Sequence, residues 1–274
     1  MGYLDCFQVD AALLKSKKLF LFDMDGTINQ EDVLIPGAKE LLEEIQSVGS
    51  RFVFITNNSS KSVRDYIEKM RRLGISTNTD HFFTAGQATA LYLREHHVDA
   101  LIYCMGTHSF REELRSYGLR ITEVPNAGAK VVVVGFDTEL TSEKIRNTCE
   151  MLTEDVAYIA TNPDLACPVS FGFIPDCGAI CRMIAYAVRK EPIFIGKPSR
   201  IMVDAVVQKF QIPLADIVVV GDRLYTDIAT GLNAGVDTVC VLTGEATLDD
   251  IRDGDIRPTF TLNSVNDLYR ALTV

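Results

Sequence analysis

The chain has 274 residues, 47% of them hydrophobic and 23% charged, with a formal net charge of −10. That length holds one or two domains with a substantial core, and an acidic balance with no basic stripe excludes a phosphate-backbone partner such as nucleic acid. No run approaches the roughly 18 apolar residues of a membrane span, and seven cysteines, an odd number without C-x-x-C spacing, point to reduced thiols in a cytoplasmic protein.

Leu19-Phe20-Leu21-Phe22 reads as a buried strand of a parallel sheet, because a short unbroken apolar run suits a strand covered on both faces. Pro36-Gly37 opens a helix with Leu41, Leu42, Ile45 and Val48 on one face, stopped by Gly49. Phe52 to Ile55 is a second strand, and Val63, Tyr66, Ile67, Met70 and Leu73 mark a helix ending before Gly74. A further helix covers roughly Gln87 to His96. From about Val98 the pattern restarts: strands at Leu101 to Cys104, Val131 to Val134 and Val156 to Ala160 alternate with helices at Phe110 to Tyr117, Ser142 to Leu152 and Gly178 to Arg189. After Lys190-Glu191-Pro192 the chain is predicted to return to the first sheet through a short strand, Ile193 to Ile195. Ser199 caps a helix through Phe210, and Ile217 to Val220 and Val236 to Leu242 are further strands. Alternating strands and helices argue for α/β architecture. The organisation predicted is a core domain of residues 1–97 and 192–274, interrupted by an inserted α/β domain of residues 98–191.

In open α/β sheets the reactive groups lie just past the carboxyl ends of the strands. Asp23 and Asp25 fall there, two residues apart, and adjacent carboxylates repel unless a cation or a shared proton compensates. The second strand runs out into Thr56-Asn57-Asn58-Ser59-Ser60, a cluster suited to an anion at a helix start or to plain capping. Lys197 stands alone between a strand and a helix cap. The strand Ile217 to Val220 discharges into Gly221-Asp222, with Asp227 following. If they share a site, four carboxylates and one ammonium leave a net charge of −3. All-oxygen ligands of that charge suit Mg²⁺ bound together with a substrate phosphate, and the set fits phosphoryl transfer.

Asp23-Met24-Asp25-Gly26-Thr27, Phe54-Ile55-Thr56-Asn57-Asn58, Ile195-Gly196-Lys197-Pro198 and Gly221-Asp222-Arg223-Leu224-Tyr225-Thr226-Asp227 resemble the four ordered motifs of the haloacid dehalogenase (HAD) superfamily. The match is to its NagD-type, nitrophenylphosphatase-like branch. Ala160-Thr161-Asn162-Pro163-Asp164 is similar to that branch's T-N-P-D stretch. The resemblance implies a Rossmann-like parallel-sheet core with an inserted C2-type cap. It implies a Mg²⁺-dependent phosphatase of small phosphorylated metabolites, with Asp23 as nucleophile and Asp25 as general acid and base. Thr56, Asn57, Asn58 and Lys197 would hold phosphate, and Asn162 and Asp164 would face the substrate. Magnesium would be held by Asp23, the Asp25 carbonyl and Asp222, with Asp227 behind them. Leu165 to Phe173, mostly apolar, is a candidate for setting specificity. A phosphomutase or phosphotransferase would use the same aspartyl-phosphate. A receiver-like signalling protein fits less well, because its acid pair and phospho-acceptor lie on different strands. Substrate identity is open, as is oligomeric state between monomer and homodimer.

Overall fold

The computed structural model describes residues 3–169 and 171–274. In chain order the strands are β1 (Leu19–Phe22), β2 (Asn29–Gln30), β3 (Val33–Leu34), β4 (Arg51–Thr56), β5 (Phe82–Thr84), β6 (Leu101–Met105), β7 (Arg120–Thr122), β8 (Ala129–Val134), β9 (Ala157–Ala160), β10 (Ala166–Val169), β11 (Gly172–Pro175), β12 (Ile193–Phe194), β13 (Ile217–Gly221), β14 (Asp237–Val241) and β15 (Phe260–Leu262). The helices used below are α1 (Ala38–Ser47), α2 (Val63–Arg72), α3 (Ala85–His96), α4 (His108–Ser116), α5 (Ser142–Met151), α6 (Cys177–Val188), α7 (Ile201–Phe210) and α8 (Ala229–Ala234).

The chain divides into two compact units. One comprises Met1–Ile55, Ile67–Phe83 and Lys197–Val274; the other comprises Thr56–Tyr66 and Thr84–Gly196. In the first unit a sheet runs in the order β15-β14-β13-β1-β4-β5, and the pairings of β1 with β13 and β4 are parallel. All four residues of β1 are at most 1% exposed, which is why this strand carries no polar alternation. Burying side chains of that size stabilises the fold by about 1.5–3 kcal/mol each. The helix α1 follows the same logic on one face only, with Ala38, Leu41, Leu42 and Ile45 buried.

The second unit has its own sheet, in the order β12-β9-β8-β6-β7, parallel throughout. Tyr103, Val132, Val134, Leu152 and Ile184 belong to its core. Two sequence expectations are corrected here. The strand around Ile193 does not return to the first sheet: β12 pairs with β9, and the chain changes unit only at Lys197. The helix α3, placed by pattern in the core domain, clusters with the second unit, where Gly86 lets α4 approach so closely that a Cβ would lie 2.5 Å from Glu113 Oε2. Within the segment Leu165 to Phe173 lie β10 and the start of β11, which pair antiparallel. Phe171 and Phe173 on it are 80% and 70% exposed, and Ser170 lies outside the described residues. Among the described residues no helix is long and apolar enough to cross a membrane, and all seven cysteines are free thiols.

Candidate active site

The neighbouring strands β1 and β13 end level with each other, Phe22 opposite Val220. Asp23 extends this ladder by one hydrogen bond, its N–H donating to the Val220 carbonyl at 2.8 Å. Asp222 directly follows the end of β13. A π-helical turn, Leu224–Ile228, precedes α8, and it aims the buried Asp227 back toward the strand ends. Carboxylate oxygens of Asp23, Asp222 and Asp227 all lie within 4.8 Å of one another.

Lys197 joins them. Its side chain is 3% exposed, and its ammonium donates to Asp23 Oδ1 at 2.5 Å, to Asp227 Oδ1 at 2.6 Å and to the Ile55 carbonyl at 3.3 Å. Burial lowers its pKa, but Asp227 and Asp23 more than offset that and hold it above the ordinary lysine value. Burial pushes the Asp23 carboxyl well up, and Asp227 and Asp222 add to the rise while Lys197 opposes it. Asp222 is raised as well, first by burial and then by Asp227. Arg223 borders the cluster; the carboxylates of Asp23, Asp227 and Asp222 outweigh its burial and keep the guanidinium charged. It also pairs with Glu245 at 3.1 Å.

Asp222 is fixed from several sides. Thr27 Oγ1 donates to its Oδ1 at 3.0 Å, and the Glu245 N–H donates to its Oδ2 at 3.0 Å. Two glycines make room for it. Gly26, at φ +94°, would place a Cβ 2.6 Å from Asp222 Oδ2, and a Cβ on Gly244 would overlap the same oxygen. Thr243 Oγ1 ties the second turn to the first through the Gly26 carbonyl at 2.6 Å. Thr27 and the Thr243-Gly244-Glu245 turn were not singled out from the sequence. The one available signal was the Gly following a strand end at Leu242.

Asp25 departs from the expected cluster. Met24 between the two acids turns inward, 1% exposed, and the Asp25 side chain is half exposed. Its Oδ1 accepts from Asn29 Nδ2 at 2.6 Å and from Lys69 Nζ at 2.9 Å. The residues brought together are therefore three carboxyl groups against Lys197, a formal net charge of −2 rather than −3. Hard oxygen donors with no histidine or thiol, and unbalanced negative charge in a buried setting, fit a divalent cation of the Mg²⁺ or Ca²⁺ type.

In the second unit the stretch after β4 is occupied by local bonds. Asn58 Oδ1 accepts from the Ser60 N–H at 3.0 Å and its hydroxyl at 2.7 Å, so the capping reading accounts for this oxygen. The Thr56 hydroxyl accepts from the Asn58 N–H at 3.2 Å. Asn57 Nδ2 donates to Asp164 Oδ2 at 2.6 Å. Asn162 Nδ2 donates to the same oxygen at 2.9 Å and to Asp176 Oδ1 at 3.1 Å. Asn162 has no exposed surface, which corrects the expectation that it faces a substrate: it braces Asp164, and Asp164 holds Asn57. Gly196 is required beside this network, since a Cβ there would lie 2.5 Å from Asn57 Oδ1.

Two family models match the chain: haloacid dehalogenase-like hydrolase over residues 20–120 and HAD-hydrolase-like over residues 194–268. An acid sugar phosphatase of Staphylococcus epidermidis is 32% identical over 92% of this chain and 97% of its own length. Among solved structures, 4-nitrophenylphosphatase from Thermotoga maritima superposes with a TM-score of 0.91 at 37% identity, covering 95% of this chain and 99% of the other. NagD from Escherichia coli K-12 gives 0.84 at 32% identity, over 91% and 97%.

Proposed function

Because the chain belongs to the haloacid dehalogenase-like hydrolases, in their NagD-type branch, we propose that it is a metal-dependent phosphatase that hydrolyses small phosphomonoesters through an aspartyl-phosphate. The observation that carries this reading is the clamp of Lys197 on Asp23 and Asp227 beside Asp222. It fixes one carboxylate as a nucleophile in a water-poor setting and surrounds it with charge suited to a transferring phosphoryl group.

Asp23 attacks phosphorus in line, the bond to the ester oxygen breaks, and Asp25 gives its proton to the departing alcohol. Water then attacks the acyl phosphate, Asp25 takes the proton back, and phosphate leaves with Asp23 restored. Lys197 holds Oδ1 of Asp23 and so selects which of its oxygens is presented. Thr56 and Asn57, at the outgoing end of β4, are assigned to the phosphoryl oxygens. A divalent cation, Mg²⁺ in this reading, would be held by Asp23, Asp222 and the Asp25 carbonyl with Asp227 behind them, and would supply charge neutralisation for the phosphate.

The names of the relatives, acid sugar phosphatase and 4-nitrophenylphosphatase, favour sugar phosphates and activated aryl phosphates as first substrates. The residues 98–191 are read as the cap. The test is a panel of phosphate esters with the wild type and Asp23→Asn. The wild type should release phosphate and the variant should retain under a few per cent of kcat, because an amide is a far poorer nucleophile. Turnover retained in Asp23→Asn, with deamidation ruled out by mass, would refute the nucleophile.

A further inference from the structure

The carboxylate of Asp25 is held by two side chains that the reaction scheme does not use. Asn29 has no exposed surface. Its Nδ2 reaches Asp25 Oδ1 at 2.6 Å and the Glu31 carbonyl at 2.9 Å, and its own carbonyl receives the Gly26 N–H at 2.8 Å. Its side-chain oxygen is buried with no donor among the described residues. An unsatisfied buried amide oxygen is costly, and a flipped amide would set two oxygens face to face at Asp25. The orientation of Asn29 is therefore fixed by what its nitrogen does.

Lys69 comes from α2, and its side chain is only 12% exposed although lysine ordinarily stays in water. Its Nζ lies 2.9 Å from the same Asp25 Oδ1. Lysine ammonium and asparagine Nδ2 are donors with no acceptor capacity. Oδ1 is thus occupied as the acceptor of two donors, which leaves Oδ2 as the oxygen turned to the leaving group. The half-exposed Asp25 would otherwise rotate freely between staggered positions, most of which turn Oδ2 away from any one leaving group.

We propose that Lys69 and Asn29 are positioning residues for proton transfer, pinning Oδ1 of Asp25 so that Oδ2 alone meets the ester oxygen. This rests on the phosphatase reading given above. Lys69 touches neither the nucleophile nor the acid cluster; its effect passes through Asp25. Losing it lowers the rate of the step in which the leaving oxygen needs a proton and leaves alone a step in which it does not.

The experiment compares kcat/KM for a primary alkyl phosphate and for p-nitrophenyl phosphate in wild type, Lys69→Met, Lys69→Gln and Lys69→Arg, with inhibition by inorganic phosphate measured in each. kcat/KM reports events up to the first phosphoryl transfer, so later hydrolysis of the intermediate does not enter. Lys69→Met and Lys69→Gln should lose about 10- to 100-fold on the alkyl ester, within the range of acid–base catalysis, and less than about threefold on the nitrophenyl ester. Phosphate inhibition should stay within about twofold, and Lys69→Arg should recover most of the alkyl activity. At this partly exposed position the glutamine variant serves if methionine disturbs folding. Equal losses on both esters, or weakened phosphate inhibition with kcat intact, would overturn the positioning role while leaving the phosphatase reading standing. A wild type that hydrolyses neither ester would overturn both.

Discussion

Glu113, on α4, offers a test of the second unit's packing that no step of the reaction touches. Its Oε2 is buried without a partner among the described residues, packed against Gly86. Burial, opposed by the Val63 N–H and reinforced by Asp65, pushes its carboxyl from the ordinary 4.5 to about 7. Below pH 4.5 the group is protonated in folded and unfolded chains alike and costs nothing. Between the two values the unfolded chain binds fewer protons, so stability falls as pH rises, and above 7 the full penalty applies. Each pH unit in that window is worth about 1.4 kcal/mol, which gives about 3 kcal/mol at pH 8 against under about 1 kcal/mol at pH 5, as a ceiling for a side chain that keeps some contact with solvent. Glu113→Gln keeps the shape and removes the charge. Urea unfolding should show the variant more stable than the wild type at pH 8 and nearly equal at pH 5. In thermal melts the pH 8 gap would reach roughly 6–12 °C. A variant destabilised equally at both pH values would refute the argument, since it would mean that Glu113 is held by bonds its charge needs.

Two further outcomes follow from the site. Chelation should abolish phosphate release, and Asp222→Ala should raise the Mg²⁺ needed for half-maximal rate or eliminate turnover, because it removes one of three clustered carboxylates; full rates in chelator-treated enzyme, with metal absence verified by elemental analysis, would refute the metal reading. Replacing Leu165 to Phe173, with its exposed Phe171 and Phe173, by a Gly-Ser linker should reorder kcat/KM across phosphate esters more than it changes the Mg²⁺ requirement. An unchanged order and spread would show that this hairpin does not choose substrate.

The strand ends were legible because burial on both faces leaves a contiguous apolar run, and the polar residue that stops the run is necessarily at the sheet's edge. Asp23 and Asp222 were found in that way, and Lys197 through the motif that contains it. The partners of these residues were not legible. Thr27 on Asp222, Lys69 on Asp25 and the Glu245 N–H on Asp222 are pairings across 195, 44 and 23 positions, and no local pattern encodes which side chain a turn will face. The separation of Asp25 from the other acids is a matter of one residue's direction, decided by the Gly26 turn. Ile193-Phe194 reads as a strand on composition, but which sheet it joins depends on the edge left open by β9. Asn162 looked like a ligand because it is polar in a motif; that it is sealed inside a network is a property of depth, which a sequence does not print.

The rigging around Asp222 has a consequence for how the molecule persists. Thr27, the Glu245 N–H and two glycines hold Asp222 in place through bonds and shape supplied by the protein itself. Repulsion among Asp23, Asp222 and Asp227 is thus built into the fold, and in the metal reading proposed above an ion that binds only the folded form would relieve it. Such binding adds about 2.7 kcal/mol at a hundred times the dissociation constant. Under the metal reading proposed above, the lifetime of this protein against unfolding and proteolysis would follow the divalent-ion level of its surroundings, and mineral supply would set how much enzyme survives as well as how fast it works.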